Sequence, residues 1–172
     1  MHVKNVTKIA LFAAILSVLS FVFIPIGTVP ITLQTLGVFL ASLLLGAKDG
    51  ALAVLIYILL GAVGLPVFAG GRGGFEVLIG PTGGYLMSFP IAAYILGKGV
   101  KFNNKIFDML IVILCVFIIY AIGVPYLKYV TGMDFKKALK IGMIPFIIPD
   151  IIKSAAAYLI SVEVNKRINI RL

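Results

Sequence analysis

The stretch that decides the fold runs from Gly64 to Tyr85 and reads GLPVFAGGRGGFEVLIGPTGGY. It holds eight of the chain's 18 glycines, and apolar segments of membrane length lie on both sides of it. The hydrocarbon of a bilayer offers no hydrogen-bonding partner, so irregular backbone at that depth persists only where it is buried in protein or lines a cavity. The pattern therefore predicts a binding site at a break in a bundle of transmembrane helices.

Composition indicates the class of protein. Of the 172 residues, 62% are hydrophobic and 12% are charged, and the mean hydropathy is +1.18. Soluble domains average about 45–50% apolar and about 25% charged residues. We therefore expect an all-α integral membrane protein in the lipid bilayer, with a single domain over residues 1–172. The first apolar segment is expected to remain as a span, because no signal-peptide cleavage site follows it.

Six transmembrane helices in a compact bundle follow from the apolar runs and the breaks between them. The glycine-rich stretch is then a re-entrant connection between the third and fourth helices. A short amphipathic helix over residues 134–143 is expected at the membrane interface. Gly123 and Pro125 predict a bend or an early end in the fifth helix. The predicted helices cover residues 6–24, 33–47, 51–64, 82–97, 106–127 and, beginning near 145 or 149, the segment that ends before 165.

The net charge of +9 comes mainly from basic residues at the ends of apolar segments. This distribution favours a membrane surface and argues against nucleic-acid binding. Six spans put both termini on one side of the membrane, which then carries nine basic residues against five on the other, so the termini are predicted to be cytoplasmic. The nine are Lys4, Lys8, Lys48, Lys98, Lys101, Lys105, Lys166, Arg167 and Arg171, and the five are Arg72, Lys128, Lys136, Lys137 and Lys140.

Asp150 and Lys153 are the charged pair of the last apolar segment. Their i, i+3 spacing places both on one helical face. A charge at mid-membrane costs about 2.5–3.5 kcal/mol on insertion scales, so such residues usually face a cavity or a partner. One interpretation is an ion pair that only fixes helix packing. The other is a ligand site in which the carboxylate accepts hydrogen bonds and the lysine donates them.

The segment Gly80-Pro81-Thr82-Gly83-Gly84-Tyr85 has turn chemistry followed by a helix start, with Thr82 as a possible N-cap. Exposed backbone N–H groups there would suit a polar or anionic ligand group. The alternative is a tight turn in which glycine serves close packing. No Gly-Lys-Ser/Thr follows, so ATP hydrolysis by this chain is not expected.

Two further positions suit a ligand. Arg72, whose fork geometry matches a carboxylate, shares the glycine-rich connection with Glu76, and these two residues either bind a ligand or pair with each other in solvent. Gln34 is a polar residue at the entrance to the second span, where it can donate or accept a bond inside a cavity.

A stripe of small residues on the first span recurs at helical spacing. Such a stripe lets another helix approach closely, either within the bundle or in a separate membrane subunit. The stripe consists of Ala10, Ala13, Ala14 and Ser17.

An enzyme is disfavoured because His2 is the only histidine and Asp150 has no second intramembrane acid beside it. Cys115 is alone in an apolar span, so neither a disulfide nor a metal site is expected. No bound cofactor is predicted.

Three motifs in the order and spacing found here resemble the BioY family, the biotin-specific substrate-binding components (S components) of energy-coupling factor transporters. They are VPITLQTLGVFLASLLLG at 29–46, GLPVFAGGRGGFEVLIGPTGGYL at 64–86 and IPDIIK at 148–153. The resemblance implies a six-helix S component that captures biotin and carries it across the cell membrane by toppling. It also implies a transmembrane coupling subunit and two ATP-binding-cassette ATPases as partners, which alone use ATP. Ala10 and Ala14 match the family's docking surface for the coupling subunit.

The resemblance also implies roles for individual residues. Asp150 is expected to accept the ureido N–H bonds of biotin, Lys153 to donate to the ureido oxygen or to the carboxylate, and Arg72 to bind the carboxylate of the tail. Tyr85, Thr82 and the backbone at Gly83 would complete the polar shell, with Gln34 at the cavity entrance. The lid loop is Val29, Pro30, Ile31, Thr32 and Leu33. The alternatives are an S component for another vitamin and an intramembrane enzyme.

Overall fold

The computed structural model describes residues 3–168, which form seven α-helices and one β-hairpin. The strands β1 (Phe23–Ile24) and β2 (Ile31–Thr32) pair antiparallel between the first two helices. His2 and Arg171 lie outside the described residues. The helices are α1 (Val3–Ser20), α2 (Gln34–Ala62), α3 (Phe75–Ile79), α4 (Gly83–Gly99), α5 (Lys105–Thr131), α6 (Phe135–Gly142) and α7 (Ile144–Ile168).

Helix α2 consists of two helical segments that meet at Gly46, whose φ of 85° and ψ of −179° are not helical. Only glycine adopts this conformation without steric cost. A Cβ on Gly50 would lie 2.6 Å from the Cα of Ser42, whereas residues eight apart in a straight helix are separated by about 12 Å. Residues 34–45 and 47–62 are therefore antiparallel neighbours that meet at Gly46. The predicted bounds of 33–47 and 51–64 imply a break at residues 48–50 instead, and this was wrong because those residues are helical.

The six predicted helices are present as α1, the two segments of α2, α4, α5 and α7. Four stretches of the described chain are long and apolar enough to cross a bilayer, and one of them contains both segments of α2. Large apolar side chains such as Leu11, Phe117 and Leu159 point outward, as expected for a protein surrounded by lipid. The protein is an all-α membrane bundle. The four stretches are Val3–Ser20, Gln34–Ala62, Lys105–Thr131 and Phe135–Arg167.

Helix α4 packs against both α2 and α5, and glycine permits the close approach. A Cβ on Gly97 would lie 2.6 Å from the backbone N of Ala47, and one on Gly84 would meet the side chain of Tyr126 on α5. Small residues at such contacts allow the helix backbones to approach each other closely. This close approach provides the van der Waals packing that holds helices together in lipid.

Helices α5 and α7 are joined by a buried carboxylate near the start of α5. Asp108 is only 1% exposed. Its Oδ1 accepts a bond from the backbone N of Lys101 at 3.1 Å, and its Oδ2 accepts one from the hydroxyl of Tyr158 at 3.1 Å. The side chain of Asn104 caps the same helix end by accepting hydrogen bonds from the backbone N of Ile106 and of Phe107. These bonds set the position of α7 relative to α5 at this end of the bundle.

Two other predicted boundaries were wrong. The first span ends at Ser20 instead of residue 24, because the following uncharged chain pairs its own backbone in the β-hairpin. Of the bend or early end predicted near Gly123 and Pro125, the early end is absent, since α5 runs on to Thr131. A membrane helix tolerates proline where neighbouring elements support it, and here the ring of Tyr85 packs directly over Gly123.

The amphipathic segment after α5 is confirmed as helix α6, which Asp134 caps through a bond from the backbone N of Lys136 at 3.0 Å. Its lysines are exposed, whereas Ala138 and Gly142 are buried against the bundle. The helix therefore presents its charged face outward.

Replacing Gly97 by alanine should lower the free energy of unfolding by about 1–3 kcal/mol, the usual cost of overpacking a close contact. The new Cβ would meet the backbone of Ala47, which cannot move aside as a flexible side chain would. Denaturant titration of the purified protein in detergent measures the change. Ile91→Ala on the same helix, where the side chain is 48% exposed, serves as the control, and equal stability of the two variants would contradict the packing assignment.

Candidate functional site

A cavity lies between the lid loop, the glycine-rich connection and helices α2, α4, α5 and α7. We call it the ligand cavity. Most of its wall is apolar or aromatic, and this part is formed by Val29, Pro30, Phe68, Ala69, Val77, Tyr85, Leu86, Phe89, Ile119, Tyr120 and Phe146.

One end of the ligand cavity carries the Asp150–Lys153 pair. Asp150 is only 6% exposed, and the Nζ of Lys153 lies 2.5 Å from its Oδ1. The hydroxyl of Tyr120 on α5 donates to Oδ2 at 2.6 Å, and that of Thr35 on α2 donates to Oδ1 at 3.3 Å. The carboxylate therefore has partners on three helices, and the pair faces the cavity, where a ligand can reach it.

Lys153 also connects this polar end to the lid loop, since its Nζ donates to the backbone O of Thr32 at 2.7 Å. The pair is thus formed as the packing interpretation expects, but it also lines the cavity as the ligand interpretation requires. An ammonium has three donors, and two of them are engaged by Asp150 and Thr32. The third can serve a ligand acceptor.

Gln34 lines the ligand cavity within a chain of hydrogen bonds. Its Nε2 donates to the hydroxyl of Tyr57 at 2.5 Å, and its Oε1 accepts from the hydroxyl of Thr32 at 3.1 Å. Tyr57 packs edge-to-face against the cavity residue Phe68, with ring centroids 5.7 Å apart. These hydrogen bonds connect Thr32 of the lid loop, through Gln34, to Tyr57 on the second segment of α2.

The residues at the start of α4 differ in whether they line the ligand cavity. Thr82 and Tyr85 line the ligand cavity, and the Tyr85 hydroxyl donates to the backbone O of Gly142 at 2.8 Å. Thr82 occupies the N-cap position but makes no side-chain cap bond. Gly83 does not line the cavity, and a Cβ there would collide with the backbone O of Leu78. At Gly83 the structure agrees with the packing interpretation.

Arg72 lines the ligand cavity from the glycine-rich connection. Its Nε donates to the backbone O of Ala69 at 3.2 Å, and the residue is exposed. The alternative that Arg72 pairs with Glu76 was wrong: between residues 3 and 168 the ion pairs join Lys153 to Asp150 and Arg167 to Glu163. The Nη groups of Arg72 are thus not held by that carboxylate.

The lid loop contributes three of its five residues to the cavity, namely Val29, Pro30 and Thr32. Ile31 pairs with Ile24 in the hairpin instead. Leu33 uses its backbone N to bind the O of Val22 at 3.2 Å and precedes α2.

The small-residue stripe of α1 divides between two environments. Ala10 and Ala14 are exposed on the outer surface, one helical turn apart, whereas Ala13 is buried in the bundle at 2% exposure. Two members of the stripe are therefore accessible to another helix.

Sequence reasoning missed Thr35 and Tyr120, the two hydroxyl groups bonded to Asp150. Tyr120 lies in the most apolar helix, and the only signal for it is a polar group in a membrane span. The aromatic walls formed by Phe68, Phe89 and Phe146 were also missed, because aromatic residues are common throughout such helices.

Comparison with known proteins shows the family of this chain. The model of the BioY family matches residues 1–170. A "Probable biotin transporter BioY" of Pyrococcus horikoshii is 46% identical over 94% of this chain and 96% of its own length. A "Biotin transporter BioY" of Thermotoga maritima is 42% identical, over 95% and 96% respectively. A 2.1 Å crystal structure of the S-component for biotin from an ECF-type ABC transporter superposes with a TM-score of 0.89 at 32% identity, covering 96% of this chain and 92% of the other. This chain therefore belongs to the BioY family.

Proposed function

We propose that this chain binds biotin and acts as the substrate-capture subunit (S component) of an energy-coupling factor transporter. The observation that carries the proposal is the Asp150–Lys153 pair at the polar end of a largely apolar cavity. The relatives' descriptions as biotin transporters support the same ligand. The chain is a transporter component and not an enzyme, because it belongs to a family of transporter components.

The groups of biotin match the two ends of the ligand cavity. The ureido ring presents two N–H donors and one carbonyl, the fused thiophane ring is apolar, and the valerate tail ends in a carboxylate. A carboxylate accepts about four hydrogen bonds, and Asp150 receives bonds from Lys153, Tyr120 and a long one from Thr35. Displacing the Thr35 bond leaves room for both ureido N–H groups, and the third donor of Lys153 suits the ureido oxygen.

The remaining residues surround the rest of the molecule. The aromatic wall that includes Phe89 and Phe146 suits the thiophane ring and the methylene tail. Arg72, on the glycine-rich side of the cavity, suits the tail carboxylate through its Nη groups. Tyr85 and Thr82 lie along the wall on α4 as further polar groups.

Uptake requires partners that supply energy. We infer a transmembrane coupling subunit and two ATP-binding-cassette ATPases, with ATP used only by the ATPases. The coupling subunit would dock on Ala10 and Ala14, because an exposed pair of small residues permits close helix contact in lipid. The bound S component would then topple in the membrane and carry its cavity from one side to the other.

We also infer that the protein resides in the cell membrane with both termini in the cytoplasm. Helix α6 and Arg72 then lie on the outer side together with the lid loop. The basic residues outside the spans are concentrated on the side of the termini, which the positive-inside rule assigns to the cytoplasm.

Asp150→Asn should weaken biotin binding at least tenfold, or by about 1.4 kcal/mol, because an amide offers fewer acceptors to the ureido N–H groups and leaves Lys153 without a counter-charge. Isothermal titration of the purified protein measures the affinity. The matched control is Glu163→Gln on the same helix, where the side chain is exposed.

An unaltered affinity in Asp150→Asn, or tighter binding of thiamine or riboflavin than of biotin by the unaltered protein, would contradict the assignment. Thermal unfolding of both variants without ligand separates loss of the fold from loss of the site.

Ala10→Leu combined with Ala14→Leu should abolish co-purification with the coupling subunit while biotin affinity stays within twofold of the unaltered protein. The larger side chains would hold the partner helix away from α1. Ala121→Leu provides the control, since Ala121 is exposed on α5. Retention of the complex in the double variant would exclude this face as the docking surface.

A further inference from the structure

A second cavity, open to the surface, adjoins the ligand cavity on the side of the glycine-rich connection. The two cavities have Arg72, Val77 and Thr82 in common, so these side chains form the boundary between them. Gly73, Glu76, Gly80 and Pro81 complete the second cavity. A ligand in the ligand cavity whose tail reaches Arg72 therefore ends beside this second cavity.

Two opposite charges line this second cavity without neutralising each other. Arg72 and Glu76 are both exposed and do not form an ion pair. The carboxylate of Glu76 instead folds against Gly74, where a Cβ would collide with it. The guanidinium is bonded through its Nε to Ala69. The cavity consequently offers one anionic group and one cationic group to the same occupant.

The backbone holds both charges in place. The backbone N of Phe68 donates to the O of Arg72 at 2.8 Å in a β-bridge. The backbone N of Gly74, two residues before Glu76, donates to the O of Gly61 on α2 at 2.7 Å. The backbone that carries the two side chains is thus held by hydrogen bonds, one of them to α2, which lowers the entropy cost of ordering it around a ligand.

From this arrangement we propose that the second cavity is a subsite for biotin amides whose amine portion ends in a zwitterion, such as Nε-biotinyl-lysine. The proposal rests on the proposed function. The amide would replace the tail carboxylate at the boundary, the lysyl chain would pass Val77 and Thr82, and its α-ammonium would meet Glu76. The α-carboxylate would meet the Nη groups of Arg72 from the side of the second cavity.

The charges select this ligand class over simpler extensions. A neutral alkyl amide would leave Glu76 and Arg72 without ligand contacts, and an extension with a single charge would be attracted by one of them and repelled by the other. A zwitterion satisfies both, as a lysine α-amino acid group does.

The test compares three ligands by isothermal titration: biotin, Nε-biotinyl-lysine and biotin N-butylamide. We expect Nε-biotinyl-lysine to bind within about tenfold of biotin. Glu76→Gln should weaken Nε-biotinyl-lysine about fivefold, the upper range for a solvent-exposed ion pair, while the affinities for biotin and the butylamide change by less than twofold. Glu163→Gln, the same substitution at an exposed site on α7, should change none of the three.

Binding of Nε-biotinyl-lysine more than about tenfold weaker than that of biotin, or an equal effect of Glu76→Gln on all three ligands, overturns the subsite and leaves the proposed function standing. Failure of the unaltered protein to bind biotin as well overturns the proposed function together with the subsite.

Discussion

The ligand cavity depends on satisfying the carboxylate of Asp150, which is buried in an apolar bundle. A buried charge is tolerated only when it is paired and its remaining hydrogen-bonding capacity is used. Asp150 meets this requirement through an ion pair with Lys153 on its own helix and hydrogen bonds from Tyr120 on α5 and Thr35 on α2. The same lysine then holds the lid loop at Thr32. A polar group that is costly in lipid thereby fixes the relative positions of three helices and a loop around one cavity.

Glycine provides the space in which this arrangement is possible. Gly46 reverses the chain within α2, and Gly97 packs against that reversal from α4. Gly84 on α4 leaves room for the side chain of Tyr126 on α5, and Gly123 on α5 leaves room for the ring of Tyr85 on α4. The described part of the bundle is consequently tight at these helix crossings, and the ligand cavity lies beside the lid loop and the glycine-rich connection. Different residue types therefore serve the cavity and the packing. Charged and hydroxyl side chains line the ligand cavity, and glycines lie at the helix crossings.

Helices α5 and α7 are tied at two levels, by Tyr120 to Asp150 and by Asp108 to Tyr158. Each contact joins a tyrosine hydroxyl to a carboxylate, and each crosses between the same two helices. The first contact lines the ligand cavity, whereas neither Asp108 nor Tyr158 does. The second contact therefore joins the two helices independently of the cavity.

The sequence by itself determined the class of protein, the six spans and the charged pair in the last span. It could do so because hydropathy and a charge within an apolar run are local properties of the sequence. It also placed Asp150, Lys153, Gln34 and Arg72, all of which line the cavity. Only the tertiary structure decided that Thr35 and Tyr120 share the Asp150 carboxylate and that Gly83 serves packing. It likewise revealed that Arg72 and Glu76 border a second cavity without pairing. These outcomes depend on which faces of distant helices meet, and the spacing of residues within one helix carries no information about that.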